Sequence, residues 1–426
     1  MAMSANNKSV YIANKPIYIA GLGLISAIGN DVAKNLHALE NGQAGMQALQ
    51  HLDTVHRSAF PVAEVKASNE ELATLTGLTD DDGRPPVNIS RTALLSLVAA
   101  KEALESSGLQ IRGGTSRSQR RQLRLGLVSA NTVGGMDKTE HFFRHFLNDP
   151  QKGRLSEVIH HECGSITEWV ADQLGIHEYI TTINTACSSS ANALAFAARL
   201  IRHGYLDAVV AGGTDSLTKF TLNGFNTLMI LDREYCTPFD EDRKGLNLGE
   251  GAGYVVLVSE QIAATLQSTP FCRLSGYCNR NDAYHQTASS PDGRGSYLAM
   301  LGALESSGLQ PSDIDYINLH GTGTTNNDLA EGLAIQRLFD PKYPPLSSTK
   351  SFTGHTLGAS GGIEAVFSAL SVQKDIIYPN LRFQTPMKEL SFTPETSLVK
   401  DKPVKHVLSN SFGFGGNCSS LIFSKP

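Results

Sequence analysis

Apolar positions recur every three or four residues along ALLSLVAAKEALESSGLQ (93–110) and again along SYLAMLGALESSGLQ (296–310). That period predicts two amphipathic helices, each closing at a C′ glycine, Gly108 and Gly308, where a left-handed backbone carries no Cβ penalty. A short apolar run follows each helix, LRLGLVSA (123–130) and IDYINLH (314–320), and both predict strands. The helices share more than a period. The octapeptide ALESSGLQ stands at 103–110 and again at 303–310.

The parallel continues downstream. YITTINTACSSSANALAFAARLI and PLSSTKSFTGHTLGASGGIEAVFSAL each predict a strand, a sharp turn and a helix of small residues. DAVVAGGTDS and HVLSNSFGFGG each predict a strand that runs into glycines. One order repeated over so many elements favours duplication over convergence, with residues 1–265 and 266–426 as the two halves. Helices alternating with short, nearly continuous apolar strands predict α/β layers around buried mixed sheets. Residues 136–180 and 214–250 find no counterpart in the second half, and such insertions commonly build substrate channels or subunit contacts.

Composition narrows the classes. With 41% apolar and 18% charged residues among 426, the chain can bury a substantial core. A net charge of −5 argues against a general nucleic-acid binder. No run approaches the roughly 20 apolar residues that span a bilayer, so no membrane insertion is expected. The start, MAMSANNKSVYIANKP, lacks the apolar stretch of a signal peptide, which makes cytoplasm the expected compartment. Six cysteines without a CxxC indicate neither a zinc site nor a disulfide framework. The basic stretch RGGTSRSQRRQLR (112–124) reads as a solvated loop, with docking of an acidic partner as the alternative.

NTACSSSANAL is the sharpest chemical signal. An apolar strand stops there, and a Ser/Ala-rich helix starts directly after Cys187. A thiol at that junction faces unpaired amides at the positive end of a helix, which predicts a lowered pKa and a nucleophilic thiolate. On its own, a cysteine at a strand end is more often structural. The second half tips the balance, because NLHGTGTTNNDLAEG puts His320 just past a strand and SSTKSFTGHTLGASGG puts Lys350 and His355 ahead of another small-residue helix. Under duplication the second of these turns corresponds to the Cys187 turn, and a pseudo-twofold axis would bring the two face to face. NSFGFGGNCSS adds a glycine turn around Phe414 and Gly415, whose N–H groups could pair with that of Cys187 as an oxyanion hole.

TACSSSANA, HGTGT, KSFTGHTLGASG and GFGG, in this order, resemble the motifs of elongating β-ketoacyl-[acyl-carrier-protein] synthases of the thiolase-like superfamily, over nearly the whole chain. The resemblance implies a duplicated five-layered α-β-α-β-α sandwich, with the octapeptide marking one helix in each half. It implies Cys187 as acyl acceptor, His320 and His355 as the decarboxylation and oxyanion histidines, and Lys350 as a structural active-site lysine paired with Glu364. Thr322 and Thr324 match pantetheine contacts, Phe414 a gating phenylalanine beside Gly415, and Val133 in NTVGG the acyl-pocket gate. No cofactor or metal is implied. The implied partners are acyl- and malonyl-loaded carrier protein and a second subunit, in a homodimer or a heterodimer with a chain-length partner.

The implied reaction is decarboxylative Claisen condensation in fatty-acid elongation. Three departures raise a dedicated synthase of a specialised polyene or polyketide pathway as the alternative. They are Thr325 with two asparagines after HGTGT, Asn417–Cys418 after GFGG, and Thr237 in CTPFDEDRKG. A thiolase would use a second cysteine near the C-terminus, and Cys418 lies close to that place. It would lack the HGTGT histidine with a downstream lysine. A chain-initiating synthase would carry asparagine at position 355, and a chain-length partner subunit usually lacks the cysteine.

Overall fold

The computed structural model describes residues 15–78, 89–109, 123–400 and 402–426. The basic stretch read at 112–124 lies outside them except for its last two residues. Five strands come from the first part of the chain: β1 (Ile17–Ser26), β2 (Leu125–Ala130), β3 (Tyr179–Ile183), β4 (Ala208–Asp215) and β5 (Gly251–Ser259). Five follow in the second: β6 (Cys272–Asn281), β7 (Tyr316–Asn318), β8 (Leu346–Ser347), β9 (His406–Gly413) and β10 (Asn417–Ser424).

Together they form one sheet in the order β3-β2-β4-β5-β1-β6-β10-β9-β7-β8. Outward from the centre the two sides read alike, β1-β5-β4-β2-β3 and β6-β10-β9-β7-β8. The pairing senses match too. β5 is antiparallel to β1 and β4, and β2 is parallel to β4 and β3. β10 is likewise antiparallel to β6 and β9, and β7 is parallel to β9 and β8. The sides join where Tyr18 pairs Arg273 and Ile19 pairs Cys272.

Helix α1 (Arg91–Ser106) covers the outer face of β1, β5 and β4. Residues 136–180 carry α2 (Met136–Asn148) and α3 (Cys163–Leu174), followed by α4 (Ser189–Arg202) and α5 (Lys219–Thr227). In the second half, α6 (Arg294–Ser307) covers β6, β10 and β9, and α7 (Thr325–Phe339) and α8 (Ser360–Lys374) follow. Helices α4 and α8 touch each other and strands of both sides, which makes them the central layer. The sequence of layers is therefore α-β-α-β-α. On β5, Val255 and Leu257 face the central helices while Val256 and Val258 pack with α1. Both faces are buried, so the strand reads GAGYVVLVS without alternation. Each such side chain contributes about 1.5–3 kcal/mol of burial.

The repeated octapeptide now has a physical account. Ser106 Oγ accepts the Leu22 N–H at 2.9 Å and donates to the Leu22 carbonyl at 2.8 Å. Ser306 Oγ makes the same pair with Tyr277, at 2.9 and 3.1 Å. A Cβ at Gly21 would stand 2.0 Å from the Ala103 carbonyl oxygen, and one at Gly276 would stand 2.4 Å from that of Ala303. In each half the helix lies against a glycine of the first strand, and its serine satisfies the backbone beside it. Gly108 and Gly308 both have positive φ, +67° and +74°, as the helix-end reading predicts.

One expectation fails. α3 stands between β2 and β3 as α7 stands between β7 and β8, so the later part of 136–180 does have a counterpart. Within 136–180 the added segment is the shorter one that holds α2. Among the described residues, no helix is long and apolar enough to cross a membrane.

Candidate active site

Three turns meet where the sides of the sheet face each other across α4 and α8. The first carries Cys187. After β3 the chain reverses through Ala186, which adopts φ +54°, a conformation costing a β-carbon-bearing residue on the order of 1–3 kcal/mol. Ser189 holds the turn, accepting the Thr185 N–H at 2.8 Å and donating to the Ala186 carbonyl at 2.6 Å. The thiol ends up 6% exposed at the head of α4.

The second and third turns bring the histidines. His355 Nε2 lies 3.1 Å from Cys187 Sγ, and its Nδ1 lies 3.0 Å from Ser360 Oγ. The His320 ring stands edge-on to that of His355, centroids 5.5 Å apart. Lys350 Nζ sits 3.3 Å from His320 Nδ1 and ion-pairs with Glu364, and all of these groups are buried. His320 is held through its backbone: its N–H and that of Gly321 each donate to Glu331 at 2.9 Å. The N–H groups of Thr322 and Gly323 donate to Asp328.

A cavity of about 230 Å³ opens onto this cluster. Cys187, His320 and His355 line it with Thr322, Thr324 and Phe414. The hydroxyls of Thr322 and Thr324 bond each other at 2.9 Å. Phe414 stacks on Phe225 of α5, centroids 5.9 Å apart, and its backbone N–H faces the Cys187 sulfur. Gly415 turns away, donating to the Gln286 carbonyl at 2.7 Å and accepting from Asn281. Val133 also lies off the cavity wall. It packs with Leu222, Leu246 and Leu357 and touches the cluster that includes Phe225. Among the described residues, no group of His, Cys, Asp and Glu has a metal-holding arrangement.

Electrostatics correct one expectation. Burial pushes the Cys187 thiol up to about 11, outweighing the Lys350 charge and the Phe414 and Cys187 N–H groups that favour the thiolate. The helix end does not win, because desolvation penalises a charge more than these donors repay. Burial, reinforced by the Lys350 charge, also drives His320 and His355 well below the usual imidazole value, so both are neutral at physiological pH. Cys418 lines the same cavity, and burial pushes it up to about 12. What sets Cys187 apart is its contact with a histidine.

Residues 14–263 match the family described as "Beta-ketoacyl synthase, N-terminal domain", and residues 271–384 match "Beta-ketoacyl synthase, C-terminal domain". The chain belongs to the β-ketoacyl synthase family. It is 32% identical over 421 residues to "3-oxoacyl-[acyl-carrier-protein] synthase 2" of Staphylococcus aureus (strain N315), covering 97% of this chain and 99% of the relative. The protein of that name from Vibrio cholerae serotype O1 is 30% identical over 430 residues, covering 97% and 100%. Among solved structures, "The ishigamide ketosynthase/chain length factor" superposes with a TM-score of 0.88 at 26% identity, covering 97% of this chain and 100% of that one. "Ketosynthase (ApeO) in Complex with its Chain Length Factor (ApeC) from Xenorhabdus doucetiae" gives a TM-score of 0.78 at 29% identity, covering 97% and 98%. The five layers are thus the thiolase-like fold of the ketosynthases, and this β-ketoacyl synthase is a condensing acyltransferase.

Three buried carboxylates of this ketosynthase escaped the sequence reading. Glu331 and Asp328 lie one turn apart on α7 and cap the HGTG amides. The available signal was a glycine turn rich in unpaired N–H groups followed by acids at helical spacing. Asp215, which burial pushes up to about 6, accepts from the N–H groups of Thr132, Val133 and Gly358 at 2.7–3.1 Å. It joins the Val133 turn to the turn after His355, and GGTDS alone gives no hint of that.

Proposed function

We propose that this chain condenses an acyl group held on Cys187 with malonyl-[acyl-carrier protein], releasing CO₂ and giving β-ketoacyl-[acyl-carrier protein] in fatty-acid elongation. The observation that carries the reading is Cys187 Sγ at 3.1 Å from His355 Nε2, with His320 behind it in one buried cavity. Acyl transfer to the sulfur splits a difficult carbon–carbon bond formation into two steps, and the thiol proton leaves with the departing carrier thiol. Malonyl then loses CO₂, and the electron pair of the broken C–C bond becomes an enolate.

Neutral His320 and His355 each keep one N–H to donate to the enolate oxygen. The carbanion attacks the acyl carbonyl, and the tetrahedral oxyanion rests on the N–H groups of Cys187 and Phe414. The C–S bond breaks, and Cys187 takes up a proton. Lys350, paired with Glu364, keeps positive charge beside His320 and so favours the neutral imidazole. Thr322 and Thr324 belong in this reading to the path of the carrier's pantetheine arm, Phe414 to its gate and Val133 to the acyl end. A second subunit, identical or a chain-length partner, completes the enzyme.

Likeness to ketosynthases solved with chain-length factors favours a second reading, a dedicated ketosynthase of a polyene or polyketide pathway. Both readings share one test. Intact-mass analysis after incubation with acyl-carrier should show one adduct, lost in Cys187→Ala. His320→Ala and His355→Ala should abolish CO₂ release from labelled malonyl-carrier while leaving some acylation. An adduct on Cys418, or near-normal CO₂ release from either histidine variant, would overturn the assignment. A panel of acyl chains of different length and unsaturation separates the two pathways.

A further inference from the structure

Asn417 opens β10 directly after the Phe414 turn. Its side-chain oxygen accepts three hydrogen bonds, from Ser188 Oγ at 2.9 Å, Asn192 Nδ2 at 2.9 Å and Asn279 Nδ2 at 2.5 Å. Ser188 follows the nucleophile, Asn192 lies one turn further along α4, and Asn279 is on β6. One carbonyl oxygen therefore ties the head of the cysteine's helix to the strand that leaves the Phe414 turn. The other end of that turn is anchored as well. Gly413 pairs with Asn417 across β9 and β10, and a Cβ added to it would stand 3.0 Å from the Cys187 nitrogen.

Each donor has a second acceptor: Ser188 bonds the Thr185 carbonyl at 2.8 Å, Asn192 bonds Thr185 Oγ1 at 2.8 Å, and Asn279 bonds Ser419 Oγ at 2.8 Å. Removing Asn417 leaves each donor group one acceptor, and Asn279 is exposed to water, so the full penalty for an isolated buried donor does not arise. The three-way contact is therefore poorly explained as a requirement of folding. What it supplies is a fixed distance between two N–H groups that sit on different segments of the chain.

We propose that Asn417 is a positioning residue for the acyl-transfer step: its side-chain oxygen holds the Phe414 turn against the head of α4, so that the Cys187 and Phe414 N–H groups converge on one point. The proposal rests on the reading of those two groups as the oxyanion site, and it adds a residue that acts on them without touching substrate.

The test compares two reagents on the full-length chain. Acylation of Cys187 by p-nitrophenyl acetate forms a thioester, expels p-nitrophenolate and passes through an oxyanion. Alkylation by iodoacetamide involves no oxyanion and reports only thiol access and ionisation. Asn417→Ala should slow the ester reaction about 10-fold, part of the effect of losing an oxyanion donor outright, and leave alkylation within about 2-fold. Asn417→Asp keeps an acceptor oxygen and should recover the ester rate to within about 3-fold. An unchanged ester rate in Asn417→Ala, equal slowing of both reagents, or failure of Asp to rescue would each overturn the proposal. The ester needs no carrier, so a chain that fails to condense malonyl-carrier would refute the proposed function while the comparison of variants still decides the role of Asn417.

Discussion

Gly413→Ala is the most demanding probe of the site geometry. The residue has φ −119° and ψ 156°, an extended backbone that alanine adopts without strain. The whole effect is therefore steric. The added Cβ would stand 2.9 Å from the Thr185 carbonyl oxygen, 3.0 Å from the Cys187 nitrogen and 3.2 Å from the Ser188 nitrogen. All three are backbone atoms of a turn already held at Ala186 by a positive φ, so no flexible side chain can yield. The turn and the Phe414 strand must move apart by roughly half an ångström, and overpacking of this kind costs roughly 1–3 kcal/mol.

The displaced atoms are the ones proposed to meet the oxyanion. Acylation of Cys187 by an acyl-carrier should fall about 10–100-fold, since small misplacements at a reacting centre are costly. Thermal unfolding should drop by only about a few degrees. Quenched-flow mass spectrometry measures the acylation rate, and a thermal melt measures the rest. An acylation rate within twofold of the parent, with an unchanged melt, would show that the Phe414 turn is not pressed against the nucleophile.

Burial holds the Cys187 thiol near 11, so its thiolate fraction is small at neutral pH and grows as pH rises. Alkylation by iodoacetamide should therefore climb about tenfold per pH unit from 7 to 10, and a plateau by pH 8 would refute the buried, neutral thiol. In Glu331→Gln one acceptor oxygen facing the His320 and Gly321 amides is replaced by a donor. An orphaned N–H costs about 1–3 kcal/mol, so CO₂ release should fall at least tenfold while Cys187 alkylation is unchanged; parallel loss of both would make Glu331 a folding residue only. Val133→Phe overfills the cluster with Leu222, Leu246 and Leu357, and should suppress acylation by long chains more than by short ones. Equal loss at both lengths, scored by intact mass, would make Val133 plain packing.

Most of what the chain declares locally was legible before folding. The glycine ends of α1 and α6 are visible because a left-handed helix end admits few residues. Cys187 and His355 each stand in a turn before a helix of small residues, and that local pattern survives without any knowledge of the partner turn. The octapeptide announced the repeat. Only the packed strands explained it, since Ser106 and Ser306 are conspicuous just once they are seen bonding Leu22 and Tyr277.

Tertiary structure decided the rest, for reasons that are themselves physical. The charge state of Cys187 depends on desolvation, which the order of residues does not encode, and there the local helix-end argument pointed the wrong way. Whether α3 was an insertion or an equivalent of α7 depended on where it sat between strands. Glu331, Asp215 and Asn417 act through hydrogen bonds to residues far along the chain, Asn417 reaching back to Ser188. Gly415 was named with Phe414, yet it faces Gln286 and not the cavity. Sequence spacing determines which side chains can share a helix face or a turn. Burial, and the partner each polar group meets, arise only when distant segments close on one another.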